Sequence, residues 1–152
     1  ASRGQLPELE AAARAQGLSL VAQTLEPEAK LADSLGKLLT ESDMLLAVPD
    51  PAILNRTSVQ GVFMTTYRRQ KPVIGFSKSL SRAGAVVSLF STPAQIGRQA
   101  GEIAEKVLAG GKLGGRQWPK YYSVAINSQV AHSFDIDLPT EQQLLSELQS
   151  SE

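Results

Sequence analysis

Three short stretches hold the residues best able to do chemistry. They are Val48-Pro49-Asp50-Pro51 running on to Asn55, Phe76-Ser77-Lys78-Ser79, and Ser91-Thr92. Together they offer hydroxyls, a carboxylate, an amide, cations and backbone N–H groups, a set that can hydrogen-bond a small polar ligand. It contains no activated nucleophile. The chain has no cysteine, its single histidine is His132, and no G-x-S-x-G elbow occurs. Thiolate chemistry, disulfides, Cys-based zinc sites and multi-His metal sites are thereby excluded. Asp50, between two prolines, reads equally as a turn former, and Ser77 and Ser79 as ordinary strand-to-loop residues. His132 reads as a solvated surface residue. The run Gly110-Gly111-Lys112-Leu113-Gly114-Gly115 lacks P-loop spacing and opens no helix, so it reads as a connector.

These stretches need a frame. Leu6, Leu9, Ala13 and Gln16 recur at helical spacing up to Gly17, a C-terminal stop. Leu18–Ala22 reads as a short strand. Leu31, Leu35, Leu38 and Leu39 mark a second helix. Met44–Val48 and Val73–Phe76 are uninterrupted apolar runs, the pattern of adjacent central strands buried on both faces of a parallel sheet. Between them, Thr57–Gln70 reads as a helix with Val59, Val62, Phe63, Thr66 and Tyr67 inward. Ala85–Phe90 is a further strand. Thr92-Pro93-Ala94-Gln95 combines a capping box with proline at the first helical position, and Ile96, Ala100, Ile103 and Val107 continue as an apolar stripe. Tyr121–Ile126 reads as the last strand, and Thr140 opens the last helix, with Leu144, Leu145 and Leu148 inward. Alternating helices and strands imply an α/β fold, an open three-layer sandwich with a mainly parallel sheet. In such sheets ligands lie beyond the carboxyl ends of the strands, where the polar stretches fall. Because the order starts inside a helix, at least one upstream strand is expected.

The 152 residues suit one domain. Fifteen Lys and Arg balance fifteen Asp and Glu, which argues against a nucleic-acid binder. The apolar runs are far shorter than the ~20 residues of a membrane span.

From about Pro7 to Leu148 the chain resembles the C-terminal half of ABC-transporter substrate-binding proteins with the type I periplasmic-binding-protein fold. The resemblance lies in Leu46–Pro51, Lys71–Ser77, Arg82-Ala83-Gly84-Ala85, Ser91–Gln99, Tyr122–Asn127 and Val130-Ala131, in that order and spacing. It implies one lobe of a two-lobed receptor that captures a small organic solute, such as an amino acid, for a membrane permease, without catalysis, metal or cofactor. Ligand contacts are expected from Asp50, Ser77 and Gly84, with Pro49, Asn55 and Ala83 beside them. The receptor is expected in the periplasm or lipid-anchored at the cell surface. Residues 1–152 would be mostly the second lobe, with chain crossings near Phe90–Thr92 and Lys120–Ser123. Helix 93–109 would then belong to the first lobe, its Ile96–Val107 stripe packing there or in a homodimer. The rival reading is a flavodoxin-like signalling receiver or small-molecule sensor. A receiver needs an acidic cluster around a phosphoacceptor aspartate, which Asp50 lacks.

Overall fold

The computed structural model describes residues 2–25 and 30–150. A short 3-10 turn, Ser2–Gln5, leads into helix α1, Leu6–Ala15. Gly17 stops α1 with a positive φ of 70°, as its position predicts. Helices α2 (Leu31–Leu38) and α3 (Val59–Arg68) flank strand β1 (Leu45–Leu46). Then come β2 (Val73–Gly75), α4 (Lys78–Ala83), β3 (Val87–Phe90), α5 (Pro93–Leu108), β4 (Ser123–Ile126), α6 (Ser128–Ser133) and α7 (Glu141–Ser150).

The fold is mixed α/β around an open sheet in the order β1-β2-β3-β4. The pairs β1–β2 and β2–β3 are parallel, and β3–β4 is antiparallel. The two apolar runs are therefore parallel neighbours, as expected, but β1 is an edge strand and not a central one. Leu45 and Ala47 donate to the carbonyls of Pro72 and Ile74 at 2.9 Å, and among the described residues no strand pairs on the other side of β1. Met44 and Leu46 are 51% and 45% exposed, so the expected burial on both faces does not hold for β1. The strand expected at Leu18–Ala22 does not form. An apolar run becomes a strand only when a ladder receives it, and this one has no pairing partner among the described residues.

Side chains alternate across the sheet. On one face Ala47 and Val73 join Phe63, Leu80 and Ala85 in the main core cluster, and Leu35, Leu39 and Val62 form a second cluster behind α3. Tyr67, expected inward, stays half exposed and packs edge-to-face on Phe134, with ring centroids 5.6 Å apart. The helical rotation of about 100° per residue carries it past the buried arc of Val62, Phe63 and Thr66. Gly75 is required: a Cβ there would collide with Ser88 Oγ and lie 3.0 Å from Leu80 Cβ. Ser88 is itself fully buried, and its hydroxyl makes no hydrogen bond among the described residues.

The excursion between β3 and β4 leaves and returns at one end of the sheet, since Phe90 pairs with Ser123. Thr92 and Gln95 form the capping box that the sequence signals. Ser91 Oγ donates to Tyr121 O at 2.8 Å, and Gln95 Nε2 to Ser123 Oγ at 3.0 Å, so the departing and returning segments are tied side by side. None of the 16 residues of α5 is buried, and Ile96 is 58% exposed. A polar seam holds the helix instead. Glu102 takes hydrogen bonds from Tyr121 Oη (2.6 Å) and Lys120 Nζ (2.9 Å), and Gln99 bonds both Trp118 O and Lys120 N. The Tyr121 and Lys120 bonds hold the Glu102 carboxyl below its ordinary pKa. No helix of the described residues is long and apolar enough to cross a membrane.

Candidate functional site

Asp50 and Ser77 follow the carboxyl ends of β1 and β2. The parallel register that sets Leu46 beside Ile74 brings the exits of the two strands together. Asp50 is only 8% exposed. Its Oδ1 accepts the N–H of Ala52 at 3.1 Å, and its backbone carbonyl accepts the N–H groups of Ile53 and Leu54. This is an Asx turn, so the turn-forming reading of Asp50 holds whatever else the carboxylate does. Pro49 is exposed and rigidifies the exit. Asn55 closes the same loop. Its Oδ1 accepts from Thr57 and Ser58 N–H at 2.9 and 3.1 Å, and its amide donates to Pro51 O.

Ser77 is half-buried and extended (φ −156°, ψ 155°), and it is the N-cap of α4. Its Oγ accepts the Leu80 N–H at 3.2 Å. An N-cap hydroxyl still has a proton to donate and a second lone pair. A hydroxyl and a carboxylate thus stand at neighbouring strand exits, the arrangement that open α/β sheets present to ligands.

Ala83 and Gly84 lie elsewhere. The six residues of α4 carry the chain back across the sheet, so Gly84 precedes β3 at its amino end. Gly84 has φ 132°, and a Cβ there would meet the Phe63 ring at 3.1 Å. Both residues line a hollow with Lys71 and Val73, at the amino end of β2. The six expected site residues therefore divide into a group of four at the strand exits and a pair at the opposite end. Asn127, which the sequence placed in a family stretch but not among the site residues, caps α6 through Val130 N–H and donates to Ser81 O at 2.8 Å, locking α4 to the end of β4. An Asn followed by a helical turn was the signal available for it. His132 is exposed.

The open, mainly parallel sheet carries these polar groups at its strand exits, where α/β folds commonly take ligands. The chain belongs to the ABC transporter substrate-binding protein family, whose model matches residues 1–149. That family consists of binding proteins, not enzymes. Three solved structures are similar. A conserved domain protein from Vibrio cholerae is 25% identical, with a TM-score of 0.66 over 90% of this chain and 46% of that one. A Streptococcus pneumoniae ABC domain in complex with L-Trp is 19% identical, with a TM-score of 0.67 over 91% and 47%. The ligand-free, open form of a Clostridium difficile substrate-binding protein with adhesive properties is 18% identical, with a TM-score of 0.69 over 91% and 47%. The chain thus spans about half the length of the solved chains it matches. No curated protein matched it.

Proposed function

We propose that this chain supplies one wall of the solute site of an ABC importer's receptor, which takes a small organic solute of the amino-acid class and delivers it to a membrane permease. The observation that carries the reading is the pairing of Asp50 and Ser77 at adjacent parallel strand exits in a chain of this family. A carboxylate suits the ammonium of an amino acid, and a hydroxyl can donate to its carboxylate. Pro49 and Asn55 border that wall. Gly84 and Ala83 act on it only through α4, whose far end they fix. The L-Trp bound by the Streptococcus pneumoniae neighbour supports the solute class.

The opposite wall comes from a second lobe, joined through Phe90–Thr92 and Lys120–Ser123. Helix α5 belongs to that lobe, and its Ile96–Val107 stripe packs there or, without that lobe, against a second copy of the chain. The tied neck at Ser91–Tyr121 and the lack of buried residues on α5 support this division. The receptor works in the periplasm or lipid-anchored at the cell surface and carries out no catalysis. Tight capture buries ~70–90% of a ligand, which one wall cannot do. An NMR titration of the chain with glycine and alanine should therefore give weak, saturable shifts confined to Pro49–Asn55 and Ser77. A submicromolar Kd, or shifts that avoid both exits, would overturn the proposal.

A further inference from the structure

A hollow of about 530 Å³ opens at the amino ends of β2 and β3, away from Asp50 and Ser77. Its floor is Phe63 and Gly84, and it stays open because position 84 has no side chain; a Cβ would press on the Phe63 ring at 3.1 Å. Met64 and Tyr67, 47% and 50% exposed, line it together with Val130 and Phe134, and the Tyr67 and Phe134 rings meet edge-to-face at 5.6 Å. Such volume is typical of small-molecule sites, and aromatic and thioether walls adapt to flat or branched apolar bodies.

The charges around the hollow are one-sided. Arg68 and Lys71 belong to its lining, and no carboxylate does. Among the described residues neither cationic side chain has an ion pair or a side-chain hydrogen bond, whereas Arg98, Arg116 and Lys120 each have an acidic partner. The C-terminal end of α3 also faces this side and favours cations, but a helix end carries only about half a charge. Its last turn is already closed by the N–H groups of Arg69, Gln70 and Lys71 on Thr65, Tyr67 and Thr66 carbonyls. Two whole positive charges on the side chains outweigh it.

We propose that this hollow is a second binding site, separate from the strand exits, for a small carboxylate with an aromatic or branched apolar body. The body lies on Met64, Tyr67 and Phe134 over Gly84, and the carboxylate reaches out to Arg68 and Lys71 at the rim. The site stands independently of the importer reading, because it uses no residue of the strand exits.

The test is an NMR titration of the chain with phenylacetate, its neutral isostere phenylacetamide, and acetate. Phenylacetate should shift Met64, Tyr67, Gly84 and Phe134 saturably, and the amide and acetate should bind about tenfold more weakly, since each lacks one half of the recognition. The double substitution Arg68→Gln with Lys71→Gln should bring phenylacetate down to the level of the amide. Met64→Asp, an exposed position on α3, should abolish binding while leaving the rest of the spectrum in place. Absence of saturable shifts for phenylacetate, equal binding of acid and amide, or shifts confined to Pro49–Asn55 and Ser77 would each overturn the proposal.

Discussion

Replacing Ser77 separates what this residue does for the fold from what it does for a solute. Its position after a strand suggests that Ser77→Ala leaves stability almost untouched, but the structure corrects that expectation. Ser77 Oγ accepts the Leu80 N–H at 3.2 Å and so caps the N-terminus of α4. Removing such a cap costs about 1 kcal/mol, within a range of roughly 0.5–2. For a chain of this size that lowers Tm by about 2–4 °C per kcal/mol. Aspartate caps as well as serine and adds a negative charge at a helix start, so Ser77→Asp should melt close to the parent. A solute carboxylate, in contrast, meets a donor in Ser77 and a repelling charge in Ser77→Asp. In a receptor carrying both lobes, either substitution should weaken solute binding by about 1–3 kcal/mol, the cost of an unpaired buried polar partner. Thermal melts of the chain and calorimetry on the receptor measure the two effects. Parent-like melting of Ser77→Ala would refute the capping argument, and parent-like affinity of Ser77→Asp would remove Ser77 from the solute wall.

Gly75→Ala should destabilise the chain by about 1–3 kcal/mol through overpacking, while Ser88→Ala should gain roughly 1 kcal/mol by deleting a buried hydroxyl without a partner. Because both act at one contact, a urea-denaturation cycle should give a double mutant less destabilised than the sum of the singles; strict additivity contradicts the geometry. Self-association of the chain, followed by size-exclusion with light scattering, should weaken by at least about tenfold in Ile96→Glu, since burying an isoleucine contributes about 1.5–3 kcal/mol. A parent that stays monomeric at every concentration counts against the exposed stripe as a contact surface. Glu102, held low mainly by Tyr121 and then Lys120, contributes stability that is complete above the ordinary glutamate pKa of about 4.3. The contribution fades as pH falls through the lower folded value, so the stability gap between parent and Glu102→Gln should close in acid; a gap that widens there would show the sign to be wrong.

Local signals carried much of this architecture. The apolar runs at Met44–Val48 and Val73–Phe76 made parallel neighbours legible, and Thr92 with Gln95 marked the start of α5 to the residue. Hydrophobic period is uninformative in α4 and α6, six residues each, because two turns offer too few repeats. Gly84 was legible as a turn just before the strand Ala85–Phe90, and the structure keeps it there; what the short α4 hid is that this turn lies at the end of the sheet opposite the exits of β1 and β2. The run Leu18–Ala22 shows the opposite failure, a strand-like pattern with no ladder to join. At the candidate site, Asp50 and Ser77 were readable as polar residues leaving apolar strands. Their structural duties, an Asx turn and an N-cap, depend on neighbours two and three residues on, and became visible only with the backbone in place. The seam from Glu102 to Lys120 and Tyr121 spans 18 and 19 residues, beyond any local rule.

The edge position of β1 has a consequence for solvent exchange. In a parallel ladder alternate residues face a given neighbour. Leu45 and Ala47 N–H groups are engaged with β2, so the Leu46 N–H points away from it. Three consecutive amides thus alternate between shielded and wet, although Leu45 and Leu46 share one strand. Deuterium should enter at Leu46 while its two neighbours keep their protons, and any chain that docks along this edge should silence Leu46 alone. A single amide therefore acts as a clock for the occupancy of the edge.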